Sequence, residues 1–120
     1  MTPGHHEDSS PGFVYVWEFT VDAKWQTEFE RAYGPDGAWA QLFKKHSGYR
    51  GTQLLRHNED PLKYWTVDHW DSEASQRDFR LRFSAEFEDL DHRCEAFTQK
   101  EELLGEFSLV VRTEPGEWAN

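Results

Sequence analysis

The stretch LKYWTVDHW, residues 62–70, alternates like a strand yet leaves no face for water. Trp65, Val67 and His69 fall on one side, and Tyr64, Thr66, Asp68 and Trp70 on the other. A strand that is apolar on both faces has to be covered on both faces. Two further segments repeat the demand. FVYVWEFT (13–20) sets Phe13, Tyr15, Trp17 and Phe19 on one face and Val14, Val16, Glu18 and Thr20 on the other. ELLGEFSLVVR (102–112) spreads Leu103, Leu104, Phe107, Leu109, Val110 and Val111 over both, and Gly105 marks a bulge within it.

Helical spacing fills the gaps between these strands. After Asp22, a capping residue, Val21, Trp25, Phe29 and Tyr33 recur at four-residue steps until YGPDG (33–37) stops the helix. A second helix is predicted over 37–46, with Trp39, Leu42, Phe43 and His46 on its inner face. YRGTQLLRH (49–57) reads as the second strand, and NEDP (58–61) as the hairpin turn into the third. Asp71 or Ser72 caps a long helix. Phe79, Phe83, Phe87, Leu90, Cys94 and Phe97 keep to a stripe narrower than about 100° on it. Cys94 on that stripe reads as a small apolar filler and His92, opposite it, as exposed. The carboxylates Glu86, Glu88, Asp89 and Asp91 make a solvated face.

The order strand, helix pair, strand, strand, helix, strand is the βαββαβ plan of the ferredoxin-like α+β fold, a four-stranded antiparallel sheet with helices on one face. One chain of 120 residues makes one domain and one helical layer. The second cover is most simply another copy about a two-fold axis, so a homodimer is predicted. Residues 1–12 read as a flexible lead, 13–112 as the domain and 113–120 as a tail, in which Trp118 is a candidate tether. His5 and His6 in the lead read as an exposed tail rather than a metal site.

A net charge of −10 argues against nucleic-acid partners and anionic membranes. The single cysteine forms no disulfide within the chain, the first dozen residues lack an apolar run, and no stretch has the length of a membrane span. A cytoplasmic protein is the expectation. Nine Phe, six Trp and four Tyr fill a core, an interface or a pocket for a flat ligand. No metal-ligand spacing, phosphate loop or nucleophile elbow occurs.

Three motifs carry a resemblance: SGYRGTQLLR leading the second strand, DHWDSEAS at the turn from third strand to helix, and FRLRFSAEF on the helix. Over about residues 13–111 the chain resembles the antibiotic biosynthesis monooxygenase (ABM) domain proteins, which form dimeric α/β barrels. The resemblance implies a cavity in each subunit between sheet and helices. It also implies oxygenation of polyphenols, anthrones or quinols with dioxygen and neither metal nor flavin. Haem-degrading relatives use an Asn on the first strand and a Trp and a His on the last helix. The matching positions here hold Trp17, Phe79 or Leu81, and Asp89 or Asp91, so haem is not expected.

His46, inward on its helix, is the first candidate base, because histidine suits proton removal near neutral pH. His69 is the second. Asp68 is the third, either as a base or in an ion pair with Arg56 or Arg50. Alternation puts Asp68 and His69 on opposite faces, so the two are no dyad. Tyr15, Trp17 and Phe19, faced by Trp39 and Phe43 and joined by Trp65 and Phe83, are the candidate walls for a planar substrate. The function expected is a cofactor-independent monooxygenase of an aromatic, quinol or polyketide-like molecule. A cyclase or isomerase, or a non-catalytic ligand-binding dimer, are the alternatives.

Overall fold

The computed structural model describes residues 12–110. Four strands, β1 (Gly12–Val21), β2 (Tyr49–Arg56), β3 (Lys63–Trp70) and β4 (Thr98–Leu109), form one sheet. Its order is β2-β3-β1-β4, antiparallel throughout. With helices α1 (Gln26–Tyr33), α2 (Ala38–Phe43), α3 (Glu73–Arg82) and α4 (Ser84–Cys94), this is the predicted α+β ferredoxin-like plan. The expected tail with Trp118, the end of the last strand at residues 111–112, and His5 and His6 lie outside the described residues. Gly12, expected in the lead, already pairs with Leu109.

Local chemistry sets the element boundaries. The Asp22 carboxylate accepts from the Lys24 N–H at 3.1 Å and caps a 3-10 turn, Ala23–Trp25, ahead of α1. Ser72 caps α3, accepting from the Ser75 N–H at 3.1 Å. Residue 104 is the extra one where β4 slips against β1 between Val16 and Trp17, beside Gly105.

Two helices differ from the spacing-based reading. The second ends at Phe43, so His46 lies beyond it in the turn toward β2. The long C-terminal helix is two, joined at Phe83, whose φ of −115° and ψ of 28° are not helical. The bend keeps both segments over the sheet, with Phe79, Leu90 and Cys94 buried. β4 also starts at Thr98, four residues earlier than predicted, which brings Glu101 into the sheet opposite Phe19.

The core lies between the helices and one sheet face. Phe13, Phe19, Tyr64 and Trp70 meet Phe29, Tyr33, Trp39 and Phe79 there. Phe29 and Phe79 are wholly buried, and truncating such a side chain costs about 3–5 kcal/mol. The opposite face carries Leu55, Trp65, Phe107 and Leu109, all exposed, around Val14 and Val16. Among the described residues no helix is long and apolar enough to cross a membrane.

Candidate active site

A cavity opens between the helix-side face of the sheet and the helices. β1 supplies Tyr15, Trp17 and Phe19; α1 and α2 supply Tyr33, Trp39 and Phe43; β2 and β3 supply Thr52, Thr66, Asp68 and Trp70. Gln76, Phe79, Phe87, Asp91 and Glu101 complete the lining. The walls enclose about 620 Å³, open solvent at the mouth included, but the centre of a water molecule can reach only about 80 Å³ of it. The space is a slot between rings, and Trp39 meets Phe87 edge-on at 4.9 Å within it.

Asp68 is the charged group set deepest, 7% exposed. Register explains its place: β1 pairs Tyr15 with Asp68, and β2 pairs Thr52 with Asp68, so all three side chains point to the helices. The Thr52 hydroxyl donates to Oδ1 at 2.7 Å. Having given its proton there, Thr52 accepts from the Tyr49 hydroxyl at 2.5 Å. Burial pushes the Asp68 carboxyl up to about 6, against a smaller downward pull from Thr52. The expected ion pair is absent: Arg56 lies 3.7 Å from Glu30, and Arg50 lies 3.5 Å from Asp71.

Tyr15 sits opposite Asp68. Gln76 Nε2 donates to its oxygen at 2.6 Å, and Arg77 donates to Gln76 Oε1 at 2.7 Å. A guanidinium can only donate, so Arg77 fixes which end of the Gln76 amide faces Tyr15. Burial raises the Tyr15 hydroxyl's pKa, with Arg80 opposing. Burial also raises Tyr33 and Glu101 at the other end of the slot.

Of the candidate residues, the structure brings Asp68, Tyr15, Trp17, Phe19, Trp39 and Phe43 to the cavity. It does not bring His46, His69, Trp65 or Phe83 there. His46 is buried behind Trp70, with Gly48 N–H donating to Nδ1 and Nε2 against Asp78 Oδ2, each at 2.9 Å. Its proton therefore sits on Nε2, and both ring nitrogens are engaged in holding the turn to α3. The pairing with His46, and then Arg82, lowers the Asp78 carboxyl. His69 pairs in register with Val14 on the opposite sheet face and bonds Gln53 at 3.1 Å. Trp65 is on that face too, donating to Glu18 at 2.9 Å. Phe83 stacks on Phe79 at 5.5 Å at the helix joint.

Thr52 and Gln76 went unnoticed, and each left a signal. Gln76 stands three residues before Phe79 on the buried stripe, an odd place for an amide. Thr52 faces Asp68 across a hairpin whose turn was already located.

The family model for antibiotic biosynthesis monooxygenase matches residues 12–88, the span that builds β1 through α3 and most of the cavity. The chain belongs to the antibiotic biosynthesis monooxygenase (ABM) family. No curated protein matches it. Among solved structures, the ABM chain is similar to SnoaB, a cofactor-independent oxygenase from Streptomyces nogalater. That match has 21% identity, covers 88% of this chain and 99% of that one, and has a TM-score of 0.63. It is also similar to MhuD, a haem degrader from Mycobacterium tuberculosis with two haems in its active site. There the identity is 24%, the coverage 85% of this chain and 99% of that one, and the TM-score 0.63. At such identities the likeness is one of fold.

The second neighbour raises the question whether this ABM cavity fits haem. It holds no histidine, cysteine or methionine among its lining residues. Phe79 and Trp39 fill the slot, and His46 is turned away with both nitrogens bonded. The lining offers a haem no His, Cys or Met ligand, only the phenol oxygens of Tyr15 and Tyr33, of which Tyr15 is held by Gln76. Among the described residues, no three His, Cys, Asp or Glu side chains converge on a common point as metal ligands do.

Proposed function

We propose that this ABM protein is a cofactor-independent monooxygenase of an aromatic, quinol or polyketide-like molecule, working as a homodimer, with Asp68 as its base. The observation that carries the reading is Asp68 itself: a buried carboxylate raised to about 6, in an aromatic slot, with no ion pair among the described residues. A group of that kind is ionised at neutral pH and gains from taking up a proton. The methylene carbon of an anthrone shows the balance. Asp68 takes one of its two hydrogens as a proton, and the electron pair left on carbon forms the bond to dioxygen. The proton returns to the outer peroxide oxygen, and loss of water, which carries off the second hydrogen, leaves a ketone. One methylene and one dioxygen thus give one ketone and one water. The ring walls hold the substrate flat, and the Thr52 hydroxyl keeps the Asp68 carboxylate aimed.

Chelator-treated protein incubated with anthrones and hydroquinones in an oxygen electrode tests this. Consumption of one dioxygen per anthrone, faster than the uncatalysed rate, is expected. No excess uptake across the panel overturns the oxygenase reading. Turnover of the same compounds under nitrogen points instead to a cyclase or isomerase in the same slot.

A further inference from the structure

Helix α3 carries three arginines, and two of them are fully committed. Arg77 reaches Glu73 at 2.8 Å and Glu106 at 3.0 Å, and Arg82 reaches Asp78 at 3.2 Å. Arg80 makes no ion pair among the described residues. Its guanidinium lies over the Phe87 ring, Cζ 3.7 Å from the centroid, and its Nη1 is buried with no hydrogen-bond partner among the described residues. A buried charged donor left without an acceptor is costly, and native structures keep few of them.

Its neighbours belong to the cavity. Phe87 beneath it is a wall residue, and Gln76, one helical turn earlier on the same face, is another. Gln76 holds the Tyr15 oxygen as a donor, so the Tyr15 hydroxyl proton is left to give, and none of the described residues accepts it. Two strong donors without acceptors therefore lie near one end of the slot, Tyr15 in its lining and Arg80 just behind it, against the wall residue Phe87. At Tyr15 the field of Arg80, and more weakly that of Arg77, opposes the effect of burial, while the carboxylates of Asp68 and Glu106 add to it. Asp91 and Glu101 act on Tyr33, at the far end.

We infer that Tyr15 and Arg80 form an oxyanion-binding subsite, and that the ligand of this cavity is a planar aromatic carrying an anionic oxygen, a carboxylate or a phenolate. The rings accept the aromatic plane, while the Tyr15 O–H and Arg80 Nη1–H donate to its oxygen. Within the proposed reaction, which this inference takes only for its binding site, the subsite anchors the substrate end away from Tyr33 and beside Asp68. Charge-assisted bonds of this kind are worth about tenfold or more in affinity.

Calorimetric titration under nitrogen tests the subsite with three probes on one ring system: naphthoate, dinitronaphtholate and neutral naphthol. The wild-type protein is expected to bind one or both anions about tenfold tighter than naphthol. Preference for both shows that the anionic oxygen alone is read, and preference for one names its source. Arg80→Gln should abolish the preference and leave naphthol affinity in place, and Arg80→Lys should keep part of it. No preference in the wild type, binding of none of the probes, or a preference that survives Arg80→Gln intact overturns the inference. The wild-type comparison stands even if Arg80→Gln does not fold. Oxygen takes no part, so failure here leaves the oxygenase reading standing, and failure of oxygen uptake leaves this one.

Discussion

Asp68 holds a proton in the folded chain over a pH range where the unfolded chain releases it. Its carboxyl stands at about 6 when folded, against an ordinary 3.8. A raised acid is favoured in its neutral form, so its contribution to stability is greatest below pH 4 and falls as pH rises through 6. The total is of the order of 2–3 kcal/mol. Asp68→Asn should therefore narrow the loss of stability between pH 4 and pH 8, as read by urea denaturation at both pH values. Equal pH dependence in the two proteins would contradict the burial argument. At this scale the sequence was legible where strand alternation governs. Asp68 and His69 were separable onto opposite faces before any coordinates, and they are on opposite faces. It misled at His46, because a helical wheel applies only while the helix lasts, and the helix stops at Phe43. The turn that follows still buries the ring, but against Asp78 and Gly48 rather than in the cavity.

The turn before β2 passes close against the start of α3. The Asp71 N–H donates to the Gly48 carbonyl at 2.8 Å, and a Cβ added at Gly48 would fall 2.4 Å from the Ser75 Cβ. That atom is rigidly attached to α3, so the helix itself would have to move. Gly48→Ala should destabilise the fold by about 1–3 kcal/mol, seen as a lower urea midpoint with an unchanged slope. An unchanged midpoint would show that α3 shifts freely. The elements were legible because their periods are strong: aromatic alternation in β1 and β3, and a phenylalanine stripe on the last helices. The break at Phe83 was not, since no Gly or Pro marks it and the stripe continues across. It shows only in the backbone, where Phe83 leaves helical geometry with φ −115° and ψ 28°.

Among the described residues, one sheet face meets the helices and the other is largely apolar and open. Leu55, Trp65, Phe107 and Leu109 crowd that face around Val14 and Val16. A contiguous patch of this kind on a monomer is an interaction surface. Light scattering should give twice the chain mass at micromolar concentration, and Phe107→Asp should shift the protein toward monomer. A wild-type monomer would contradict the two-sheet reading. The apolar second face was legible in three doubly apolar strands. The shape of the slot was not, because it depends on the bend between α3 and α4 and on the early start of β4 that brings in Glu101.

Whether Asp68 is the base of an oxygen-consuming reaction is tested most directly by the pH dependence of oxygen uptake by the wild type and by Asp68→Asn on one anthrone. The wild-type kcat/KM should rise to a plateau through an apparent pKa near the carboxyl's value of about 6, and Asp68→Asn should lose about 10²–10⁴-fold and show no such limb. An Asp68→Asn protein with wild-type rate and the same pH limb would contradict it.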